Sequence, residues 1–300
     1  MAELEMLRVD VFTDELYMGN PVNVVLEADS VDDVQMLRIA SELGSPPTAF
    51  VMRSKKADVR LRFFTPFGEE PLCGHATIGS IWSLAERKAF GEASSGRRRL
   101  ETQIGVLPFT VEGGPAGPQR VWMTQKRPLF ASEGDEKEVA SALGVGVDSM
   151  FTDRFPLSRA STGMPCLLVP IRSVDAIGRL EPRAEELAVL SKELDVAGIM
   201  AYSWGVLDEG STVHARFFSP PPLPLEDPAS GLPAGALGAF LAEKDFVPKE
   251  KFGDIVVEQG HWLGRPSKIH VRIEKRAGSI RRVEVGGSAR TSFVARINTP

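Results

Sequence analysis

The motif DVRLRFFTP at residues 58–66 returns in altered form as TVHARFFSP at residues 212–220. Both copies keep a Val, the Arg-Phe-Phe run and the final Pro, and Ser replaces Thr. The alternation of Val59, Leu61 and Phe63 predicts a strand with one buried face. A motif repeated in this way indicates that the chain contains two diverged copies of one structural unit.

Other matching pieces occur in the same order in both halves of the chain. GNP at residues 19–21 matches GMP at residues 163–165, and LAE at residues 84–86 matches the same letters at residues 241–243. The offset between matching pieces drifts from 144 to 157 residues along the chain, as it would if loops between fixed elements had taken small insertions. The collinear order therefore supports a duplication.

A helix and a linker are predicted from local signals. Residues 31–43 predict a helix that opens after the capping pair Asp29-Ser30, and residues 184–194 predict its counterpart. The stretch GGPAGP at residues 113–118 is rich in turn formers, so we predict that it links the two units.

A second pair of helices is predicted to be buried. Residues 74–85 and 231–242 contain no Asp, Glu, Lys or Arg. A helix without charge on any side is buried all round. We therefore expect each unit to wrap its strands around one central helix.

Length, composition and charge restrict the class of protein. The 300 residues suggest about two domains, and 43% hydrophobic with 25% charged residues is typical of a globular protein. A net charge of −5 argues against a nucleic-acid partner. There is no secretion signal at residues 1–10 and no run of roughly 20 apolar residues that would cross a bilayer. With Cys73 and Cys166 as expected free thiols, we predict a cytoplasmic protein without a membrane partner.

The starts of the two central helices are candidate anion sites. Gly74 and Gly231 begin these helices, and a helix N-terminus offers unpaired N–H groups to a carboxylate. If both starts meet in one cleft, they would hold a small anionic molecule. His75 and Asp227 lie at these starts and could carry a proton. The alternatives are a capping His and an Asp that only forms a turn before Pro.

The motifs together resemble the PhzF-like phenazine-biosynthesis isomerase family, over essentially the whole chain. The resemblance rests on VDVFT at 9–13, GNP at 19–21, FTP at 64–66, CGHAT at 73–77, EDPASG at 226–231, Gln259-Gly260, GRPS at 264–267 and VGG at 285–287.

This resemblance implies a diaminopimelate-epimerase-like fold of class α+β. Such a fold has two pseudo-symmetric barrel-like domains, each a mostly antiparallel sheet wrapped around a central helix. Since the last strands return to the first domain in that family, the expected domains are residues 1–116 plus 283–300 and residues 117–282. The family works without metal or organic cofactor, and its members are often homodimers. We therefore expect no cofactor, and a homodimer.

The resemblance also assigns site residues. His75 and Asp227 match positions that the family uses in substrate binding and proton transfer, so we predict them as catalytic. The predicted substrate-binding residues are Gly74, Ser230, Gly231 and Cys73. His214, His261 and His270 are expected to be structural or solvated.

Cysteine chemistry is a separate alternative. Cys73 matches the first catalytic cysteine of epimerase relatives, but the second helix start carries Ser230 and no cysteine. Cys166 aligns with a strand position and is expected in the core. A packing role for Cys73 is therefore preferred to two-thiol racemisation.

Two departures from the family pattern concern the reaction. Pro47 stands where the family typically has the glutamate that acts as general acid and base, and Leu232 stands where it usually has a serine. Proline has no ionisable group, so it cannot perform that step. The sequence therefore predicts a PhzF-like isomerase of a small carboxylate substrate, with negligible turnover of trans-2,3-dihydro-3-hydroxyanthranilate. The alternative is a catalytically silent relative that binds a metabolite or has a non-enzymatic role.

Overall fold

The computed structural model describes residues 3–91, 95–114, 116–132 and 134–299. The chain divides into two compact units. The N-terminal unit runs to Thr124 and also includes the residues from Gly286 onward, and the C-terminal unit is Gln125–Val285. Within those described ranges, every helix is too short or too polar to cross a membrane.

Strands outnumber helices in the order of elements. The strands are β1 Glu3–Val11, β2 Asn20–Val25, β3 Thr48–Met52, β4 Val59–Thr65, β5 Gly68–Glu70, β6 Gly96–Thr102, β7 Gly105–Gly114, β8 Gly117–Thr124, β9 Leu129–Ala131, β10 Ser158–Ser161, β11 Pro165–Pro170, β12 Ile199–Ser203, β13 Val213–Phe218, β14 Glu226–Asp227, β15 Ile255–Gln259, β16 Ser267–Arg276, β17 Ser279–Gly287 and β18 Ala289–Asn298. The α-helices are α1 Asp33–Leu43, α2 Gly74–Glu86, α3 Glu136–Ala142, α4 Val174–Gly178, α5 Ala184–Glu193 and α6 Gly231–Glu243. Short 3₁₀ turns lie at Ala28–Ser30, Val147–Ser149, Lys249–Gly253 and His261–Leu263.

Strand pairing in the N-terminal unit follows one continuous path. Strand β1 pairs antiparallel with β2, β2 pairs parallel with β3, and β3 pairs antiparallel with β4. Strand β4 then pairs antiparallel with β5 and parallel with β6. Strands β6, β7 and β8 complete an antiparallel meander. The last strand, β18, returns to pair antiparallel with β1.

The C-terminal unit repeats this pairing scheme. Strand β10 pairs antiparallel with β11, β11 parallel with β12, and β12 antiparallel with β13. Strand β13 pairs antiparallel with β14 and parallel with β15, and β15 pairs antiparallel with β16. The duplication inferred from the Arg-Phe-Phe motif is thus present in the topology, and the predicted α+β fold is confirmed.

The two charge-free segments form the central helices α2 and α6. In α6, Gly231 and the run from Pro233 to Ala242 are buried. In α2, the run from Ala76 to Ser83 is buried. Burial on every side explains why both sequences lack charge until their last residues, Glu86 and Glu243.

A second helix covers the outer face of each sheet. In the N-terminal unit, Met36 and Ile39 of α1 pack in one cluster with Phe50 and Phe64 of the sheet. In the C-terminal unit, Leu187 and Leu190 of α5 pack with Ile199 and Phe218. Since successive strand residues point to opposite faces, the neighbouring Phe63 and Phe217 point inward, toward the central helix of their own unit.

The start of α1 corrects the sequence prediction. Its cap is Asp32, whose side chain accepts from Gln35 N at 2.9 Å while the Gln35 side chain accepts from Asp32 N at 3.1 Å. Asp29 and Ser30 lie in the preceding 3₁₀ turn, and Asp29 accepts from Arg53 N. The later cap is favoured because the reciprocal pair satisfies two N–H groups.

The glycine-proline stretch is also different from its prediction. Gly113 pairs with Pro118 and Gly114 with Gly117, so the segment closes the β7–β8 hairpin inside the N-terminal unit. Residue 115 lies outside the described residues. The predicted linker at 113–118 was wrong, because turn-forming residues serve a hairpin as well as a linker.

Gly79→Ala should lower the free energy of unfolding by about 1–3 kcal/mol, the usual cost of overpacking a core. An added Cβ would lie 2.7 Å from Val22 Cγ1 and 2.9 Å from Val11 Cγ2. Gly74→Ala is the matched control, since its Cβ would meet only Met123 Cε at 4.0 Å. Urea unfolding of both variants measures the difference, and equal stability would contradict close packing of α2 on these strands.

Candidate active site

The first predicted half-site is the start of α2. Cys73 occupies the N-cap position without a side-chain capping bond, and the first helical bond runs from Thr77 N to Cys73 O at 2.9 Å. The N–H groups of residues 74–76 therefore precede the intrahelical bonds of α2. This start can present three N–H groups to an anion.

His75 lies at this start as a half-buried residue. Its Nδ1 is 3.7 Å from Cys73 Sγ. Its Nε2 is buried and has no hydrogen-bond partner among the described residues. Burial lowers the pKa of His75 to about 4, and the nearby carbonyl of Pro21 opposes part of that shift. The imidazole is therefore neutral at physiological pH, with one buried nitrogen unpaired, a state that calls for an explanation.

Pro47 lies at the entry to β3 in the same unit. Its carbonyl accepts from Asn23 N at 3.0 Å. The Asn23 side chain donates to Pro46 O at 3.2 Å and to Thr48 Oγ1 at 3.3 Å. The backbone around Pro47 is thus bound to β2, and the position supplies no acid or base.

The second predicted half-site is the start of α6. Asp227 ends β14, and its Oδ2 accepts from Ser230 Oγ at 2.5 Å. Ser230 is the N-cap residue of α6 and is 4% exposed, whereas Asp227 is half-buried. A carboxylate is therefore held beside the helix start by a short hydrogen bond.

Gln259 fixes this loop and was not among the predicted site residues. Its Oε1 accepts from Ser230 N at 3.1 Å. Its Nε2 donates to the backbone oxygen of Asp227 at 2.6 Å and to Ser230 Oγ at 3.2 Å. Gln259 is fully buried, so these bonds are shielded from water. The Gln259-Gly260 pair in the sequence was the available signal for this role.

The turn after Gln259 requires glycine. Gly260 has φ +85°, and an added Cβ would lie 2.3 Å from Arg265 O and 2.6 Å from Pro228 O. Ser267 Oγ donates to Pro228 O at 3.1 Å. The backbone of the Asp227 loop is thus held from several sides.

Leu232 and Pro233 make the start of α6 poorer in donors than that of α2. Leu232 is half-buried, and its carbonyl accepts from Thr162 Oγ1 at 3.2 Å. Gly231 O accepts from Gln125 Nε2 at 3.0 Å. Because Pro233 has no N–H, only Gly231 and Leu232 can offer amides here. Pro233 was not among the predicted site residues.

The remaining histidines and Cys166 have contacts of their own. His214 is fully buried with Nδ1 2.7 Å from Glu258 Oε1, and His270 Nδ1 is 2.7 Å from Asp254 Oδ1. His261 Nε2 lies 3.2 Å from an oxygen of Asp208. Cys166 is buried, and burial raises the pKa of its thiol to about 12, so it is an inert core residue.

Each helix start thus carries groups that can exchange protons. The α2 start has a neutral imidazole beside a thiol, and the α6 start has a carboxylate bonded to a hydroxyl. That the two starts face one cleft stays a prediction.

The relatives define the class of protein. An uncharacterized isomerase of Deinococcus radiodurans is 37% identical over 289 residues, which cover 94% of this chain and 90% of the relative. The trans-2,3-dihydro-3-hydroxyanthranilate isomerase of Pseudomonas chlororaphis is 33% identical over 285 residues, 94% of this chain and 95% of its own. The chain is an isomerase.

The family follows from a match over most of the sequence. The family model described as phenazine biosynthesis-like protein matches residues 9–295. The crystal structure of a phenazine biosynthesis protein of the PhzF family from Bacillus anthracis superposes with a TM-score of 0.90 and 31% identity, covering 99% of this chain and all of that one. The protein belongs to the PhzF-like, phenazine biosynthesis-like family.

Proposed function

We propose that this isomerase moves a proton between two carbons of a small carboxylate-bearing substrate, by acid–base chemistry of its own side chains. The observation that carries the proposal is the Asp227 carboxylate, held 2.5 Å from Ser230 Oγ at the start of a buried helix. A carboxylate positioned in this way can accept or donate a proton during the reaction.

The other predicted site residues receive matching roles. His75, which is neutral because its pKa is lowered to about 4, can donate or accept a hydrogen bond without adding charge. The amides at Gly74 and Gly231, with Ser230, are proposed to bind the substrate carboxylate. Cys73 lines the α2 start beside His75.

Pro47 distinguishes this chain within the proposal. On the family pattern it replaces the usual glutamate, and general acid–base help is worth about 10²–10⁴-fold in rate. The relative from Pseudomonas chlororaphis is named for trans-2,3-dihydro-3-hydroxyanthranilate, a carboxylate. We propose that this chain acts on a substrate of that class, but with an acid–base group other than residue 47.

A homodimer in the cytoplasm completes the proposal. It rests on the resemblance to the family, whose members often pair, and on a sequence with free cysteines. Light scattering on the eluting peak of a sizing column measures the mass, and a value near 33 kDa for a 32.6 kDa chain would contradict the dimer.

Deuterium exchange tests the reaction directly. Wild-type protein is incubated in D₂O with trans-2,3-dihydro-3-hydroxyanthranilate and with small cyclic amino and hydroxy carboxylates, and mass spectrometry follows deuterium at carbon. We expect incorporation above the buffer background with at least one of them. No incorporation with any compound would reject the proposed reaction.

A silent, metabolite-binding relative is the second candidate. The specific observation in its favour is that Pro47 supplies no acid–base group before β3, while at the start of α6 Leu232 has an apolar side chain and Pro233 has no N–H. Carboxylate binding by calorimetry without any exchange in D₂O would favour this candidate.

A further inference from the structure

Glu70 and Asp227 occupy equivalent places in the two copies of the repeat. EEPLCG at residues 69–74 corresponds to EDPASG at residues 226–231. In each copy an acidic pair is followed by Pro, and the second acid precedes the first glycine of the central helix at the same spacing. Within this alignment Glu70 corresponds to Asp227.

The strand register supports the same equivalence. Glu70 pairs with Phe63, and Asp227 pairs with Phe217, the corresponding phenylalanine of the repeated motif. The preceding acids also match. Arg62 binds Glu69 through two bonds of 2.7 and 2.8 Å, and Arg216 binds Glu226 through two bonds of 2.9 and 2.7 Å.

Glu70 lies on the inner face of its sheet. Phe64 packs with α1 on the outer face, and alternation places Phe63 inward. Cross-strand partners share a face, so Glu70 projects on the same side as Phe63, the side of α2. The residue itself is exposed at the end of β5, a few residues before the start of α2.

Resting on the proposed function, we propose that Glu70 is a catalytic residue, the carboxylate that does the proton step Pro47 cannot do. The neighbouring Glu69 carboxylate is engaged in the ion pair with Arg62. The Glu70 carboxylate, in contrast, is exposed on the inner face and adds nothing to packing. Glu70 thus places a carboxylate that can exchange a proton near the start of α2, as Asp227 does at the start of α6.

The proposed step conserves atoms and electrons. The Glu70 carboxylate accepts a proton as a substrate C–H bond breaks, and the electron pair of that bond is delocalised into the conjugated system of the substrate. The protonated Glu70 then donates the proton to another carbon, where a new C–H bond forms. Nothing is oxidised or reduced, and the carboxylate is regenerated.

If Glu70 has this role, substituting it should affect deuterium exchange far more than substituting the neighbouring Glu69. Glu70→Gln should lower deuterium exchange at least about 100-fold, the size of lost acid–base help, measured on the carboxylate into which the wild type incorporates deuterium fastest. Glu69→Gln is the control, since it changes the adjacent carboxylate on the outer face and should keep exchange within about threefold. Glu70→Asp, which shortens the side chain, should retain partial exchange and guard against misfolding of the glutamine variant.

A binding measurement tests, independently of turnover, whether Glu70 lies near the bound substrate. With 3-hydroxyanthranilate as probe at low salt, calorimetry should show about threefold tighter binding by Glu70→Gln, because a like charge near the probe carboxylate is removed. If Glu70→Gln exchanged deuterium at a rate within threefold of the wild type, the catalytic role would be overturned. Unchanged affinity for 3-hydroxyanthranilate would also overturn it. Absence of exchange in the wild type would instead overturn the proposed function.

Discussion

Asp227→Asn is expected to reduce deuterium exchange at carbon by about 10²–10⁴-fold, the range of general acid–base catalysis, in a protein that still folds. Asparagine keeps the shape of the side chain and an oxygen that can accept from Ser230 Oγ. The bond from Gln259 Nε2 goes to the backbone oxygen of residue 227 and is retained. What is lost is the carboxylate that can hold a proton.

Ser230→Ala is the comparison for this variant. It removes the hydroxyl that lies 2.5 Å from Asp227 Oδ2 but keeps the carboxylate. We expect a smaller loss, about tenfold, since the carboxylate stays but loses a charge-assisted hydrogen bond that positions it. Exchange rates and urea midpoints are measured for both variants. If Asp227→Asn kept exchange within threefold of wild type, Asp227 would take no part in the proton transfer.

The second large effect is expected on stability, at Glu258. Its side chain is fully buried and accepts from His214 Nδ1 at 2.7 Å and from the N–H groups of Leu207 and Asp208 at 2.6 and 2.9 Å. Glu258→Gln places an NH₂ group against these donors. A buried group that loses its hydrogen-bonded partners in this way typically costs about 3–5 kcal/mol.

The pH dependence of the wild type provides an independent measure. Burial alone would raise the pKa of Glu258, but the hydrogen bonds from His214, Leu207 and Asp208 lower it from 4.5 to about 2. Since the folded pKa lies below the unfolded one, the stabilisation is complete above pH 4.5 and is lost as the pH falls toward 2. At about 1.4 kcal/mol per unit, the shift corresponds to about 3 kcal/mol.

Asp254→Asn is the matched control for this buried pair. Asp254 also lies 2.7 Å from a histidine, His270, but its side chain is 45% exposed. Exposed ion pairs contribute about 0.2–1 kcal/mol, so a small change is expected. Unfolding by urea at pH 7 and at pH 3 measures all three proteins. Equal stability of Glu258→Gln and wild type at pH 7 would contradict the role of Glu258.

Much of the fold could be predicted because its signals are local and occur twice. The Arg-Phe-Phe motif marks β4 and β13, and the absence of charge marks α2 and α6. The Asp32 cap and the β7–β8 hairpin were missed, since neighbouring residues offered equally good local signals. A local sequence pattern cannot distinguish two possible helix caps, or a hairpin from a linker, when tertiary packing determines which one forms.

The candidate site was less predictable for a different reason. His75 and Asp227 stand in recognisable motifs, but Gln259 acts on Ser230 from 29 positions along the chain. The correspondence of Glu70 with Asp227 is visible in the sequence, but only the strand register, which places each beside a phenylalanine, shows which face of the sheet they occupy. Contacts between distant segments depend on the register of strand pairing, which cannot be read from a single sequence.

The pairing of β1 with β18 has a consequence for how the protein is made. Glu3 lies opposite Asn298 and Val11 opposite Ala289, so β1 is synthesised well before the strand that pairs with it. Until residues 289–298 emerge, β1 has an open edge that can pair with another chain. The C-terminal unit, Gln125–Val285, is by then fully synthesised. Nascent chains stalled before residue 289 should therefore aggregate more readily than the released protein.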